Sequence, residues 1–419
     1  MKRRPKSLKF FKYSALGNHF CLIDETDGVI IPEEDKLFFA QEYANPQYGI
    51  GCDSILFIQT PGPEVLSQLR QRFGKIWSQN KVEKKIAQII GKNKLEAQAI
   101  MRIFEPCGQE SAMCGNGIRC VADYLCHKWN LKKVRILAEV TTLEPKIYEV
   151  SKSLYPGYYR LRTERPGTIP SQFKGPKYDQ YARPISNFAE VLEIPIAKEL
   201  SGIWSSDKLI CYVIYTGEPH LVCFVSSDQV IQKRLGLPKN QFPDYFSRSE
   251  GYRTRILQAL GHYLNDREPV NSSLGLVNKA EGINVSIAEV HPEKALINMR
   301  VYERGIWGKT KACGTGALAV AALSMLLGLI KENRVRVLPE GSFYCNQGSV
   351  LVPGYIRRCG ELIIEREGRD WFLIGPVERV YQGEIRYWRE ALKRRRKEIE
   401  IYSACGERLD QKIFEQLAA

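Results

Sequence analysis

Two stretches of this 419-residue chain carry the same short pattern, and a chain that carries it twice is constrained to fold as two like halves. The first reads MRIFEPCGQESAMCGNG over residues 101–117 and the second MRVYERGIWGKTKACGTG over residues 299–316. Each opens on Met-Arg-aliphatic-aromatic-Glu, a strand-like run, and each closes on Cys-Gly-x-Gly. Cys114 falls 13 residues after Met101, and Cys313 falls 14 after Met299. Apolar helical sequence follows both, IRCVADYL after the first tetrad and ALAVAALSMLL after the second. Other landmarks keep the same order. A Gly17-Asn18 turn and the Gly-led segment GIGCDSILFIQ (49–59) precede the first; Gly217-Glu218-Pro219-His220 and Gly282-Ile283-Asn284 precede the second. The expectation is a two-fold repeat of an α/β unit, one thiol per half, with none of the shorter periods that build solenoids.

A Cys-Gly-x-Gly tetrad at a strand-to-helix junction has a physical logic. Gly115 and Gly314 let backbone approach a ligand closely. The first N–H groups of a helix lack acceptors and carry partial positive charge, so a carboxylate can sit there. The same field is expected to lower the pKa of the adjacent thiol. Two such helices holding one carboxylate would place a thiol on each face of its α-carbon. One thiolate could then remove the α-proton while the opposite thiol returns one, with charge stabilised by the helix N–H groups. No pyridoxal-lysine motif or metal-binding cluster is evident, so no cofactor or metal is expected. Cys114, Cys120 and Cys126 recur every six residues, which is not a zinc spacing, and Cys120 and Cys126 read as packing residues. A Cys114–Cys313 disulfide is a product expected only on oxidation.

The composition, 44% hydrophobic and 26% charged, fits a water-soluble globular protein. No run of 18 apolar residues occurs, and Ala317–Ile330 reads as a buried helix. The N-terminus is basic but lacks the apolar core of a secretory signal. Twelve scattered cysteines point to reduced thiols and a cytoplasmic setting. The formal charge of +14 concentrates in residues 69–94 and in KRRRK at 393–397. Charge runs usually line solvated faces, so neither a nucleic-acid nor a membrane partner is expected.

The chain parses into a first half over 1–160, interrupted by a polar helical excursion at 61–98 and completed by a closing strand at about 368–385. A second half covers 161–367, with an excursion at about 228–280, and 386–419 form a basic helical tail.

The blocks KYSALGNHFCLID, GIGCDSILFI, MRIFEPCGQESAMCGNGIRC, GEPHLVCFV, GINVSIAEV, MRVYERGIWGKTKACGTGALAVAA and IGPVERVYQGEI together resemble the diaminopimelate epimerase family, in the family's order from residue 12 to 385. The resemblance implies an α/β (α+β) fold of two pseudo-symmetric domains, each a curled, mostly antiparallel sheet around a central helix. It implies a cofactor-independent two-base mechanism with Cys114 and Cys313 as the bases, and His220 and Glu303 beside them tuning protonation. It puts the backbones of Gly115, Asn116, Gly314 and Thr315 on the reacting carboxylate, and Asn18, Asn284 and Arg304 at the far end of a small amino-acid substrate. Arg304 would be the fork for a distal carboxylate. A homodimer is compatible with this reading.

Three positions depart from the family's pattern: Glu105 and Glu218 replace asparagines, and Ser54 stands where some members have glutamine. Ionised, the two glutamates only accept hydrogen bonds and would repel a distal carboxylate. The reading is inversion of LL- to meso-diaminopimelate, for lysine and peptidoglycan synthesis. A racemase of an amino acid with a cationic side chain, such as histidine, arginine or ornithine, is the alternative. A silent scaffold binding nucleic acid or an acidic partner is a second alternative, set against by retention of both cysteines, His220 and Glu303.

Overall fold

The computed structural model describes residues 7–75, 77–94, 97–111, 113–140, 145–196, 208–238, 241–242, 244–270, 273–340 and 360–404. The chain divides into two compact units, Met1–Leu161 with Val377–Ala419, and Arg162–Pro376.

The first unit contains β1 (Ser7–Ala15), β2 (Asn18–Glu25), α1 (Lys36–Tyr43), β3 (Ser54–Gln59), α2 (Pro63–Gly74), α3 (Gln79–Lys94), β4 (Ala99–Phe104), β5 (Glu110–Ser111), α4 (Gly115–Lys128), β6 (Lys133–Ala138) and β7 (Lys146–Lys152). The division falls within β8 (Tyr158–Thr163). The second unit runs through α5 (Tyr178–Tyr181), β9 (Ala182–Pro184), β10 (Ala189–Pro195), β11 (Lys208–Tyr215), β12 (Pro219–Val225), α6 (Gln229–Arg234), α7 (Glu250–Leu264), β13 (Asn284–His291), β14 (Leu296–Glu303), β15 (Gly308–Thr310), α8 (Gly314–Leu326), β16 (Arg334–Leu338), β17 (Leu362–Glu367) and β18 (Asp370–Pro376). The chain then returns to the first unit with β19 (Glu378–Arg386) and α9 (Trp388–Ala404).

The pairing pattern is the same in both units. In the first, β19, β1, β2, β3 and β4 lie side by side, with β2 and β3 parallel and the other neighbours antiparallel. Along the far edge of β4, β5 pairs antiparallel near one end and β6 parallel near the other; β7 and β8 follow. In the second, β10, β11, β12, β13 and β14 repeat the order, with β12 and β13 parallel. There β15 and β16 share the edge of β14, and β17 and β18 follow. Helix α4 packs on β1, β2, β3, β6 and β7, and α8 on β11, β12, β13, β14, β16 and β17, so each sheet curls around its own helix. The fold is mixed α/β with mostly antiparallel sheets.

The sheets are covered outside as well, which is why β3 (SILFIQ) is buried on both faces rather than alternating. Leu56 lies beside Gly117 of α4. Ile55 and Phe57 pack outward with Phe39 of α1 and with Trp388 and Leu392 of α9. Helices α2 and α3 fill the 61–98 excursion, and their apolar stripe of Val65, Leu69, Phe73, Val82, Ile86 and Ile89 covers Ile100 and Leu137. In the second unit α7 puts Leu257, Leu260 and Leu264 over Val285, Ile287 and Tyr302.

Two boundaries differ from the sequence reading. The expected strand at 368–385 is two strands, β18 in the second unit and β19 in the first. The break falls at Val377, just after Pro376, which has no N–H to continue a ladder. The tail is not wholly separate: Trp388 and Leu392 are buried in the first unit's core, and Arg396 reaches Asp35 at 2.5 Å. Residues 405–419 lie outside the described residues. No helix among the described residues is long and apolar enough to cross a membrane.

Candidate functional site

In each unit a cysteine caps the central helix. Cys114 and Cys313 have extended backbone, and their sulfurs accept from the third N–H of the first turn, Gly117 N at 3.4 Å and Gly316 N at 3.3 Å. Their carbonyls accept the fourth, from Ile118 and Ala317. The N–H groups of Gly115 and Asn116, and of Gly314 and Thr315, therefore have no acceptor within their helices. A side chain at Gly314 would strike Leu373, whose Cδ2 lies 2.7 Å from the Cβ position.

In the first unit Asn18 and Asn116 form one hydrogen-bonded group, and Ser54 and Glu105 another. The Asn116 amide donates to Asn18 Oδ1 at 2.5 Å and accepts from the buried Arg119, which also holds Gly115 O at 3.1 Å. Burial pulls the Arg119 guanidinium down to about 10. Asn18 donates to Asp53 at 3.5 Å, and the next residue's N–H does so at 2.8 Å. Glu105, at the end of β4, accepts from Ser111 at 2.7 Å and Ser54 at 3.1 Å. Burial raises its pKa against those two hydroxyls, and the neighbouring Asp53 charge adds to the rise.

The second unit gathers Glu218, His220, Asn284, Glu303, Arg304 and Thr315 around Cys313. Parallel pairing sets His220 beside Asn284. His220 is fully buried, and burial with the Arg304 charge lowers its pKa to about 3, so the ring stays neutral. Its Nε2 lies 3.0 Å from Thr315 Oγ1, which in turn lies 3.3 Å from Cys313 Sγ. Glu303 accepts from Thr310. Burial pushes the Cys313 thiol well above its ordinary value, and the Glu303 charge adds to this; Thr315 and the Gly316 N–H pull the other way. The expectation of a thiol lowered by the helix field does not hold for Cys313, because desolvation outweighs it.

Arg304, read from sequence as the fork for a distal carboxylate, already holds one from its own unit. Its Nε donates to Glu218 at 2.6 Å, and Nη1 to the Glu281 carbonyl at 3.1 Å. Its guanidinium stacks on Phe173, and its backbone N–H donates to Asn284 at 2.9 Å. Glu218 is thus paired rather than surplus charge.

Several site neighbours escaped the sequence reading. Asp53, Ser111, Arg119, Thr310, Phe173 and Thr216, whose hydroxyl holds the Thr315 carbonyl at 2.9 Å, all brace residues named above. Ser111 and Thr310 had a readable signal, since each lies in the short strand after a Met-Arg strand.

The diaminopimelate epimerase family model matches residues 10–159. A diaminopimelate epimerase of Methanocella arvoryzae is 26% identical over 382 residues, covering 90% of this chain and 96% of the relative. One from Archaeoglobus fulgidus is 26% identical over 388 residues, with the same two shares. A solved methylitaconate-delta-isomerase shares 11% identity with a TM-score of 0.49, covering 92% of this chain and 97% of its own. Relatives of that name align along nine-tenths of its length at 26% identity and the family's own model matches residues 10–159, so the chain is similar to the diaminopimelate epimerases.

Proposed function

We propose that this protein is an amino-acid epimerase that needs no cofactor and inverts LL- to meso-diaminopimelate, with Cys114 and Cys313 as its two bases. The observation that carries this reading is the matched pair of cysteine-capped helices. Each offers a sulfur and two N–H groups with no helical acceptor, from Gly115 and Asn116 and from Gly314 and Thr315. The curated relatives bear the name of that activity.

In this mechanism the helix N–H groups bind the reacting carboxylate and stabilise the charge that grows on it as the α-proton leaves. One cysteine, as thiolate, takes that proton onto its sulfur. The other, as thiol, gives its own proton to the opposite face, and the stereocentre inverts. The buried thiol of Cys313 fits the donor role at rest, with the cycle reversed for the opposite stereoisomer. On this reading the reaction serves lysine and peptidoglycan synthesis in the cytoplasm.

One observation favours a second reading. Glu218 sits on the Arg304 guanidinium at 2.6 Å and competes with any carboxylate brought there. A racemase of an amino acid with a cationic side chain would use Glu218 instead. Deuterium exchange at Cα over a panel of diaminopimelate, lysine, ornithine, arginine and histidine decides: fastest exchange on diaminopimelate supports the first reading, and exchange confined to the cationic amino acids supports the second. No exchange on any amino acid overturns both.

A further inference from the structure

The Thr315 hydroxyl has two reactive neighbours, Cys313 Sγ at 3.3 Å and His220 Nε2 at 3.0 Å. A hydroxyl has one proton to donate, so the tautomer of His220 decides where it goes. The neutral ring carries a single N–H. Its Nδ1 is buried with no hydrogen-bond partner among the described residues. A proton there would be a buried orphan donor, whereas on Nε2 it is used, and only a lone pair is left unmatched. Nε2–H therefore donates to Thr315 Oγ1, and the hydroxyl proton is left to point at the sulfur.

The surroundings hold this line in place. Thr216 fixes the Thr315 carbonyl at 2.9 Å. A Cβ at Gly316 would lie 3.4 Å from His220 Cε1 and 3.3 Å from Cys313 Cβ, so the last glycine of the tetrad lies close against both the imidazole and the cysteine. The titratable groups facing the thiol are His220 from β12, Glu303 from β14 and Glu218 from the turn before β12, and Arg304 acts on the histidine. Both carboxylates oppose a thiolate.

We propose that the Thr315 hydroxyl, aimed by His220, is the donor that stabilises the Cys313 thiolate each time this cysteine gives up its proton. Thr315 and His220 are then positioning residues acting on Cys313 as one unit. The inference rests on the proposed epimerase reading only for its consequence in turnover; its primary test is chemical and needs no substrate.

The rate of Cys313 alkylation by iodoacetamide is followed by peptide mapping from pH 7 to 11 in the full-length protein. Thr315→Val should slow alkylation about tenfold on the lower limb and move the profile up by about one pH unit, the loss expected when a charge-assisted hydrogen bond goes. Thr315→Ser should stay within about threefold of wild type. His220→Gln should slow it less, and should add nothing on top of Thr315→Val, since the two act in series. In α-proton exchange, the valine variant should lose kcat with KM retained. Thr315→Ala carries the same expectation where valine disturbs folding. An unchanged alkylation profile in a folded Thr315→Val or Thr315→Ala protein, or independent additive effects of Thr315 and His220, overturns the proposal. Loss of exchange in wild type with the alkylation shifts intact would overturn the epimerase reading alone.

Discussion

Cys114 and Cys313 cap their helices with the same geometry, yet their sulfurs have different surroundings. Cys114 is half-buried, whereas Cys313 is 7% exposed. By strand register, Phe20 stands beside Ser54 in the first unit where His220 stands beside Asn284 in the second. The third tetrad residue is Asn116 in one, turned to Asn18 and Arg119, and Thr315 in the other, turned to the sulfur and the imidazole. The supporting glutamates remain alike: Glu105 receives a hydroxyl from Ser111 and Glu303 one from Thr310. A repeated frame has thus kept the cap, the N–H groups without a helical acceptor and the braced carboxylate, and has varied what surrounds each sulfur. On the proposed mechanism, two bases that hold opposite protonation states at the start of a cycle call for such a difference.

The largest expected effect on function comes from removing either sulfur. Cys114→Ala and Cys313→Ala should each cut inversion by on the order of a thousandfold or more, in line with a lost general acid or base. Chiral chromatography of the products checks this. Near-normal inversion by either variant would mean that only one half is used.

The units also differ in how they bury the arginine of the Met-Arg motif. Arg102 makes paired bonds to Glu33, both at 2.6 Å, and to Glu110, both at 2.7 Å, with Arg72 of α2 joining the same carboxylates. These cations hold the Glu33 carboxyl down to about 2 against its burial. Arg300 stands 3.9 Å from Glu340, which Lys309 also holds. Arg102→Met should therefore destabilise the protein by about 3 kcal/mol or more, because two buried carboxylates lose their fully buried, doubly bonded partner and keep only the half-buried Arg72 in common. Arg300→Met should cost less. Urea unfolding of both variants measures the contrast, and equal losses would erase it.

A pH effect should belong mainly to the second unit. Folded His220 has a pKa of about 3 against an ordinary value of 6.5. Above 6.5 neither state is protonated. As pH falls from 6.5 toward 3, the unfolded chain takes a proton that the folded protein refuses, so stability is lost over that window. On the order of 1–3 kcal/mol should be lost by pH 4.5, and His220→Gln should flatten the curve. Glu33 adds a separate loss below about 4.5, as its depressed carboxyl begins to protonate in the unfolded chain first.

A smaller effect is expected at Arg304. Glu218→Gln removes the charge that occupies the guanidinium and should raise kcat/KM for diaminopimelate roughly fivefold, about 1 kcal/mol. For a cationic substrate the same change should lower it. No change on either would place Glu218 outside recognition.

Much of this frame was legible because it lies in short local patterns. Cys-Gly-x-Gly marked both helix starts, Met-Arg-aliphatic-aromatic-Glu marked β4 and β14, and the 61–98 excursion showed its helical period. What was not legible depends on partners far apart in sequence. Glu218 and Arg304 are separated by 86 residues, and Glu33 and Arg102 by 69. Neither spacing carries a signal. The raised thiol of Cys313 was missed for a related reason: a helix terminus can be read from local sequence, but the burial that overrides its field comes from strands elsewhere in the chain.

The central claim, two thiols each moving one proton, is tested most directly by inversion of LL-diaminopimelate in D₂O, read by mass spectrometry at early times. The account predicts that meso product carries one solvent deuterium at the inverted carbon while recovered LL-substrate remains protiated, because the proton enters from a different sulfur than the one that removed it. Product that retains the substrate's own proton, or deuterium entering recovered substrate as fast as product, would point to a single base and contradict it.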